Sequence, residues 1–285
     1  MLKSVARLSI LITVLFFSIS TKAQDFQGKA YYMSKTSVDM SNFGRPDMSE
    51  DQKKRMQERL KSMFEKTFVL TFNRTESLYK QDEKLEAPTQ GGGGRFSVIM
   101  SGAVDGVTYK NIKSNQLLKE HELFGKLFLV KEDLPELEWK MTGETKKIGG
   151  YDCFKATATK TWKDFEMSNF RRPSNRNEDE ASTDEAVEAP TEEKEVVVTA
   201  WYTMRIPVNH GPNDYYGLPG LILEINTDKT TILCTKIILN PEDKDTIKQP
   251  SKGKEVTKAE YVDIATNKFQ EMRENFRRGR GGDRR

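Results

Sequence analysis

From Gln27 onward the chain alternates between apolar and polar positions. Phe68, Leu70 and Phe72 interleave with Thr67, Val69 and Thr71; Phe96, Val98 and Met100 with Arg95 and Ser97; Trp139 and Met141 with Lys140 and Thr142. A period of two sends successive side chains to opposite faces of a pleated strand, so each run reads as a strand with one buried face. Gly, Asn and Asp separate the runs. The long helical crossovers that a parallel α/β sheet requires are missing from the pattern. The prediction is a mainly β fold, a curved antiparallel sheet or half-open barrel of roughly ten strands.

Two helical patterns interrupt the alternation. Ser49 and Gln52 form a capping box ahead of an apolar stripe at Met56, Leu60, Met63 and Phe64, with Glu50/Lys54 and Asp51/Arg55 as i,i+4 pairs. Thr257 and Glu260 repeat the capping box ahead of Tyr261, Ala265, Phe269, Met272 and Phe276. Each stripe is expected to cover an open face or end of the sheet. Residues 82–94, with four successive glycines, read as a flexible loop. An acidic insert spans about 163–195; its part from Asn177 to Glu195 has nine acidic residues, one lysine and no aromatic, too little apolar surface to order itself. Residues 277–285 form a basic Arg/Gly tail. Between the leader described next and that tail, residues 24–276 are expected to form a single β-rich domain.

The first residues change the charge picture. Lys3 and Arg7 precede an apolar run from Leu8 to Ile19, and Thr21-Lys22-Ala23 places small residues where a signal peptidase cuts. Residues 1–23 therefore read as a secretory signal peptide, too short to remain as a membrane span. No cysteine follows the cut, so no lipid anchor is expected, and no later segment is apolar enough to cross a bilayer as a helix. The formal charge of the whole chain is +3. Lys3, Arg7 and Lys22 account for all of it, so the mature chain is neutral and overall charge gives no reason to expect a nucleic-acid partner. In an oxidising compartment the only two cysteines, Cys153 and Cys234, are either bridged or stay as two buried thiols; the spacing alone does not choose.

The most constrained stretch is Gly211–Ile225, "GPNDYYGLPGLILEI". Pro219 and Gly220 fit the second and third positions of a type II turn, where glycine accepts the positive φ. Leu221, Leu223 and Ile225 then line one face of a strand. Upstream, Val196, Val198, Ala200, Tyr202, Met204 and Ile206 form the apolar face of another strand, which Pro207 ends. Trp201 lies on the opposite face with Val197, Thr199, Thr203 and Arg205. Tyr215 and Tyr216 stand at the corner, and His210 reads as a loop residue at its rim.

Three segments carry a resemblance. "GYDCFKATA" (Gly150–Ala158), "AWYTMRIPVNHGP" (Ala200–Pro212) and "YGLPGLILEI" (Tyr216–Ile225) resemble, in order and spacing, the successive motifs of the GLPGLI family. These are exported proteins of Gram-negative bacteria named for the hexapeptide that is here Gly217–Ile222. The resemblance covers about residues 25–240, and the acidic insert and basic tail depart from it. The family has no established activity, so the resemblance implies a periplasmic, envelope or extracellular location and not a reaction.

Chemistry-bearing patterns are sparse. The chain lacks G-x-S-x-G, H-E-x-x-H and C-x-x-C, and its glycine run has no lysine–serine pair to cradle a phosphate. No catalytic residue, metal ligand or cofactor is assigned. The residues with most to offer are Trp201, Arg205, His210, Tyr215 and Tyr216, an aromatic group beside a polar rim that suits an apolar ligand or an envelope partner. The leading reading is an exported, non-enzymatic binding module; a hydrolase of envelope polymers and an assembly factor for outer-membrane proteins are the alternatives. Export is checked by the intact mass of protein from the envelope fraction of its host. The expected mass corresponds to Gln24 as the first residue, and a retained Met1 overturns the reading.

Overall fold

The computed structural model describes residues 26–37, 49–52, 54–55, 65–82, 103–162, 194–228 and 230–281. The leader, the Met56–Phe64 stripe, the Phe96–Met100 strand and most of the glycine loop and acidic insert lie outside them. Among these residues twelve strands form one sheet, against the roughly ten that the pattern suggests; the three-residue β12 is too short for alternation to reveal.

β1 (Gly28–Thr36) pairs with β2 (Glu65–Phe72), and the chain then runs through β3 (Glu76–Gln81), β4 (Ala103–Asn111), β5 (Gln116–Leu123) and β6 (Lys126–Asp133) as antiparallel neighbours. It crosses to the other end of the sheet for β7 (Lys140–Ile148) and returns inward through β8 (Tyr151–Trp162), β9 (Lys194–Thr203) and β10 (Leu221–Asn226) to β11 (Thr230–Leu239), which closes against β1. Finally β12 (Lys254–Val256) adds to β6 as the only parallel pair among these strands. The order is β12-β6-β5-β4-β3-β2-β1-β11-β10-β9-β8-β7, so β12 and β7 are the edges and the sheet is not closed into a barrel.

It is nevertheless strongly curled. β6 and β7 lie ten places apart in that order, roughly 48 Å if the sheet were flat. The connection between them is Leu134–Trp139, which can span at most about 24 Å even fully extended. Only a sheet rolled toward closure satisfies both. The inner face of the roll holds the main core, with Ala30, Tyr32, Leu70, Phe72, Ala156, Val198, Ala200, Tyr202 and Ile225 from the strands. The segment between β9 and β10 turns into this space and adds Ile206, Val208, Tyr215 and Leu218. Tyr32 crosses the interior to donate its hydroxyl hydrogen to the Ile222 carbonyl at 2.7 Å.

The C-terminal helix (Lys258–Gly281) follows the expected capping box. The Glu260 amide donates to Thr257 Oγ1 at 3.2 Å, and the Thr257 amide donates to Glu260 Oε2 at 2.7 Å. Its stripe of Tyr261, Ala265 and Phe269 is buried against Leu123, Phe128 and Val130, covering the β5–β6 end of the sheet. The Ser49–Gln52 capping box is also formed. The helix runs on to Gly281, so the first residues of the basic tail are helical. Likewise β9 starts at Lys194, two residues inside the stretch expected to lack structure, because Lys194 and Glu195 pair with Trp162 and Thr161.

The expected type II turn is not formed. Positive φ falls on Gly217 (94°) and Asn213 (48°), while Gly220 is not among the positive-φ residues. Gly220 is needed for a different reason. A Cβ there would lie 2.1 Å from the Thr203 carbonyl oxygen and 2.6 Å from its carbon, because the chain re-enters the sheet directly against the end of β9. Thr203 pairs with Leu221 at that point, and β9 stops there, which leaves Met204 and Arg205 exposed instead of continuing the strand. Gly220→Ala and Gly220→Asn are therefore both expected to destabilise by about 3 kcal/mol or more, since neither side chain can yield against backbone. Urea unfolding of the two variants checks this; an Asn variant close to wild type would restore the positive-φ explanation.

Candidate functional site

The corner segment is held by charges that the strand pattern conceals. Lys110 stands on β4 with its side chain facing the interior and is fully buried. Its ammonium donates to the carbonyl oxygens of Gly211 and Asn213, both at 2.6 Å, and of Tyr215 at 2.9 Å. Three donors meet three acceptors, so the cation is saturated. Left-handed Asn213 turns its carbonyl toward Lys110, and Thr108, two residues before Lys110 on the same face, donates to the Asn213 side chain at 3.3 Å.

Between those carbonyls Asp214 points to the opposite wall. It accepts from Lys160 of β8 at 2.9 and 3.0 Å and from Lys119 of β5 at 3.0 Å. These strands are eight places apart in the sheet, roughly 38 Å if flat, yet one carboxylate joins them. Lys160 also lies 4.9 Å from the Tyr215 ring centroid, and Lys119 has Glu132 at 3.8 Å.

The environment shifts these groups in opposite senses. Burial pushes the Lys110 pKa down to about 7, with Asp214 pulling upward and Lys119 and Lys160 pushing further down. Burial alone would raise the Asp214 carboxyl, but the two lysines outweigh it and hold it well below the ordinary carboxylate value. His210 is fully buried, not the loop-surface residue expected from sequence. Burial and then the Lys110 charge push its pKa down to about 3, offset in part by the Asn73 backbone, so the imidazole is neutral at ordinary pH. Neither ring nitrogen has a well-formed hydrogen bond, and the ring packs 6.3 Å from that of Phe72.

The five residues expected to share one site are divided. Tyr215 and His210 belong to the interior, because the segment folds inward after Thr203. Tyr216 is half-buried; it pairs with His210 in an isolated bridge, and its carbonyl accepts from Trp139 Nε1 at 2.8 Å. Pro219 is exposed and Gly220 buried. Trp201 and Arg205 lie on the outer face. There Lys146 stands 4.3 Å over the Trp201 ring and donates to Glu224 at 2.7 Å, while Glu224 pairs directly across from Trp201 in the ladder. Lys155 is Trp201's partner on β8 and donates to Glu144 at 2.8 Å; Arg205 lies 5.7 Å over the ring of Tyr151. The result is a shallow strip of aromatic rings and paired charges on β7–β10.

Cys153 and Cys234 are both free thiols buried in the main core. They stand on β8 and β11, which are not adjacent in the sheet, and no disulfide joins them. Burial raises their pKa values to about 11 and about 12, which keeps them protonated and unreactive. No group of three or more His, Cys, Asp or Glu suited to a metal occurs among the described residues.

Sequence reasoning missed Lys110, Lys119, Lys160 and Asp214. A signal was available: Asp214 is the one acidic residue in the corner, flanked by rings and turn residues. Its partners, however, lie in three strands whose lysines look like solvent-facing members of an alternation.

Residues 139–224 match a family model described as a protein of unknown function, Porph_ging. That span includes the first two motif segments, the corner and all but the last residue of the third. No curated protein matches the chain. Two solved structures of PNGF-II, in the P21 and C2 space groups, align over 84% of this chain with a TM-score of 0.46, at 15% and 16% identity. The alignments cover 33% and 32% of those proteins, so this chain spans about a third of their length.

The titration of His210 gives a stability test. Its folded pKa of about 3 lies below the ordinary 6.5, so between those values the unfolded chain binds more protons. Its contribution is complete above pH 6.5 and is lost as pH falls toward 3. For Lys110 the depressed pKa makes stability rise with pH between about 7 and 10.5 by the same rule. Melting temperature is expected to fall from pH 6.5 to 5, above the main range of carboxylate protonation. His210→Gln is expected to melt lower but with a flatter dependence over that interval. An unchanged slope overturns the assignment.

Proposed function

We propose that this chain is an exported envelope protein of the GLPGLI type that works as a non-enzymatic docking module, engaging its partner through the outer strip of β7–β10 around Trp201. The supporting observation is the division of the site. Lys110, Lys119, Lys160 and Asp214 of the interior are occupied in holding the corner segment, whereas the outer strip presents the Trp201 ring beside Lys146 and Glu224, and the Tyr151 ring beneath Arg205. Trp, Tyr and Arg are the side chains enriched at interface centres, and here their neighbours fix them before binding. An apolar ligand in the interior is disfavoured by the same geometry, since Tyr215 and Leu218 of the corner fill that space. The leader-like segment and the order of the motifs support the location.

The test is a cross-linking pull-down from the host envelope with wild type, Trp201→Ala and Arg205→Ala. Recovery of a defined partner is expected to fall at least tenfold for Trp201→Ala and several-fold for Arg205→Ala, with melting temperatures within about 5 °C of wild type. Undiminished recovery sinks the docking surface. A collapse of the Trp201→Ala fold would make that ring part of the core.

A further inference from the structure

Beneath the corner segment lie further polar side chains that lack a well-formed hydrogen bond among the described residues. Ser77 of β3 is fully buried and its Oγ makes no hydrogen bond; neither ring nitrogen of His210 has a well-formed one, although the Asn73 backbone faces one of them. The sheet register brings them together. Ser77 is directly opposite Phe72 on β2 and directly opposite Lys110 on β4, so the three side chains stand in a row on the inner face at roughly 5 Å spacing. His210 packs over the Phe72 end of that row, and the next residue, Gly211, accepts from Lys110 at the other. Hydroxyl and imidazole thus share one small region lined by an aromatic ring and a saturated ammonium.

We infer that Ser77 and His210 form a binding site for an internal water molecule, which joins the corner segment to the hairpin of β2 and β3. The chemistry selects water over other occupants. A metal ion would meet a lysine charge and no carboxylate in the row. An anion would need donors, and all three of Lys110 are committed to carbonyls. A catalytic use of the hydroxyl would require substrate to reach an atom buried beneath the segment. Water both donates and accepts, as a neutral imidazole with one N–H and one bare nitrogen beside a hydroxyl requires, and internal waters characteristically collect such groups. The site is a third attachment of the segment, independent of the Lys110 and Asp214 contacts.

A high-resolution crystal structure of the full mature chain tests this, with melting curves of variants. Wild-type density is expected to show a water oxygen within hydrogen-bonding distance of Ser77 Oγ and one His210 nitrogen. Ser77→Ala is expected to weaken or displace it and to lower the melting temperature by a few degrees; Ser77→Thr, which keeps the hydroxyl, restores part of the loss. The opposite sign is as informative. If Ser77 is simply an unpaired hydroxyl in an apolar core, its removal raises the melting temperature, because a desolvated group without a partner has been deleted. Absence of the water peak, or a Ser77→Ala variant more stable than wild type, overturns the site.

Discussion

One carboxylate holds the roll of this sheet together. Asp214 takes Lys119 from one side and Lys160 from the other, on strands that a flat sheet would keep roughly 38 Å apart. Because Asp214 belongs to neither strand, closure passes through the corner segment, and the position of that segment is therefore a condition for the shape of the whole. Lys110 supplies that position by gathering the carbonyls on either side of Asp214. The arrangement is an ammonium that orders a turn, a carboxylate that the turn presents, and two further ammonium groups that receive it.

The apolar side chains alone would not specify this closure. Burial of the inner face drives the sheet to curl, since the main core lies there, but a non-directional force is satisfied by more than one degree of rolling. The ion pairs are directional and short. Buried charges are costly to desolvate, and an ion pair in such surroundings adds little net stability compared with apolar side chains of the same size. Its effect is on uniqueness: any other closure leaves Asp214 or a lysine buried without a partner, at a cost of several kcal/mol. Close packing of backbone acts in the same direction. Gly220 against Thr203, and Gly211 against Ile222 and the Tyr215 carbonyl, permit only one approach of the segment to the strands.

What the sequence disclosed and what it hid divide along the same line. Alternation is a local property, and β2, β7, β9 and β10 are legible from it, as are the capping box and buried stripe of the C-terminal helix. Curling is not local. Lys110 sits in β4 beside Tyr109, and alternation assigns one of the two to solvent; in the structure both are buried, because Tyr109 lies under the outer cluster of Leu118 and Leu129 while Lys110 faces the rolled interior. The same holds for His210 and Tyr215: a polar loop is expected outside, and this one enters the core. Gly220 was recognised as constrained but through the wrong term. Dipeptide chemistry suggested a dihedral requirement, whereas the requirement is space, which depends on a strand end seventeen residues earlier in the chain.

This distribution also separates the surfaces available for function. A corner that is anchored by a saturated lysine and a paired aspartate, with Gly211 and Gly220 close against backbone and a core side chain, has little freedom to open around a ligand. Opening it would break the Asp214 pairs that bring β5 and β8 together, so such a motion would unroll the sheet rather than lift a lid. The outer strip is not tied to Asp214, although Trp201 itself is half-buried against the main core. Lys146, Glu224 and Lys155 pair locally around Trp201, and β8, β9 and β10 beneath them are held by ladders on both sides. A partner can bind there against a rigid platform without disturbing the closure. The motif that draws attention in the sequence is thus tied to the architecture of the interior, and recognition is better sought on the face of β9 turned away from it.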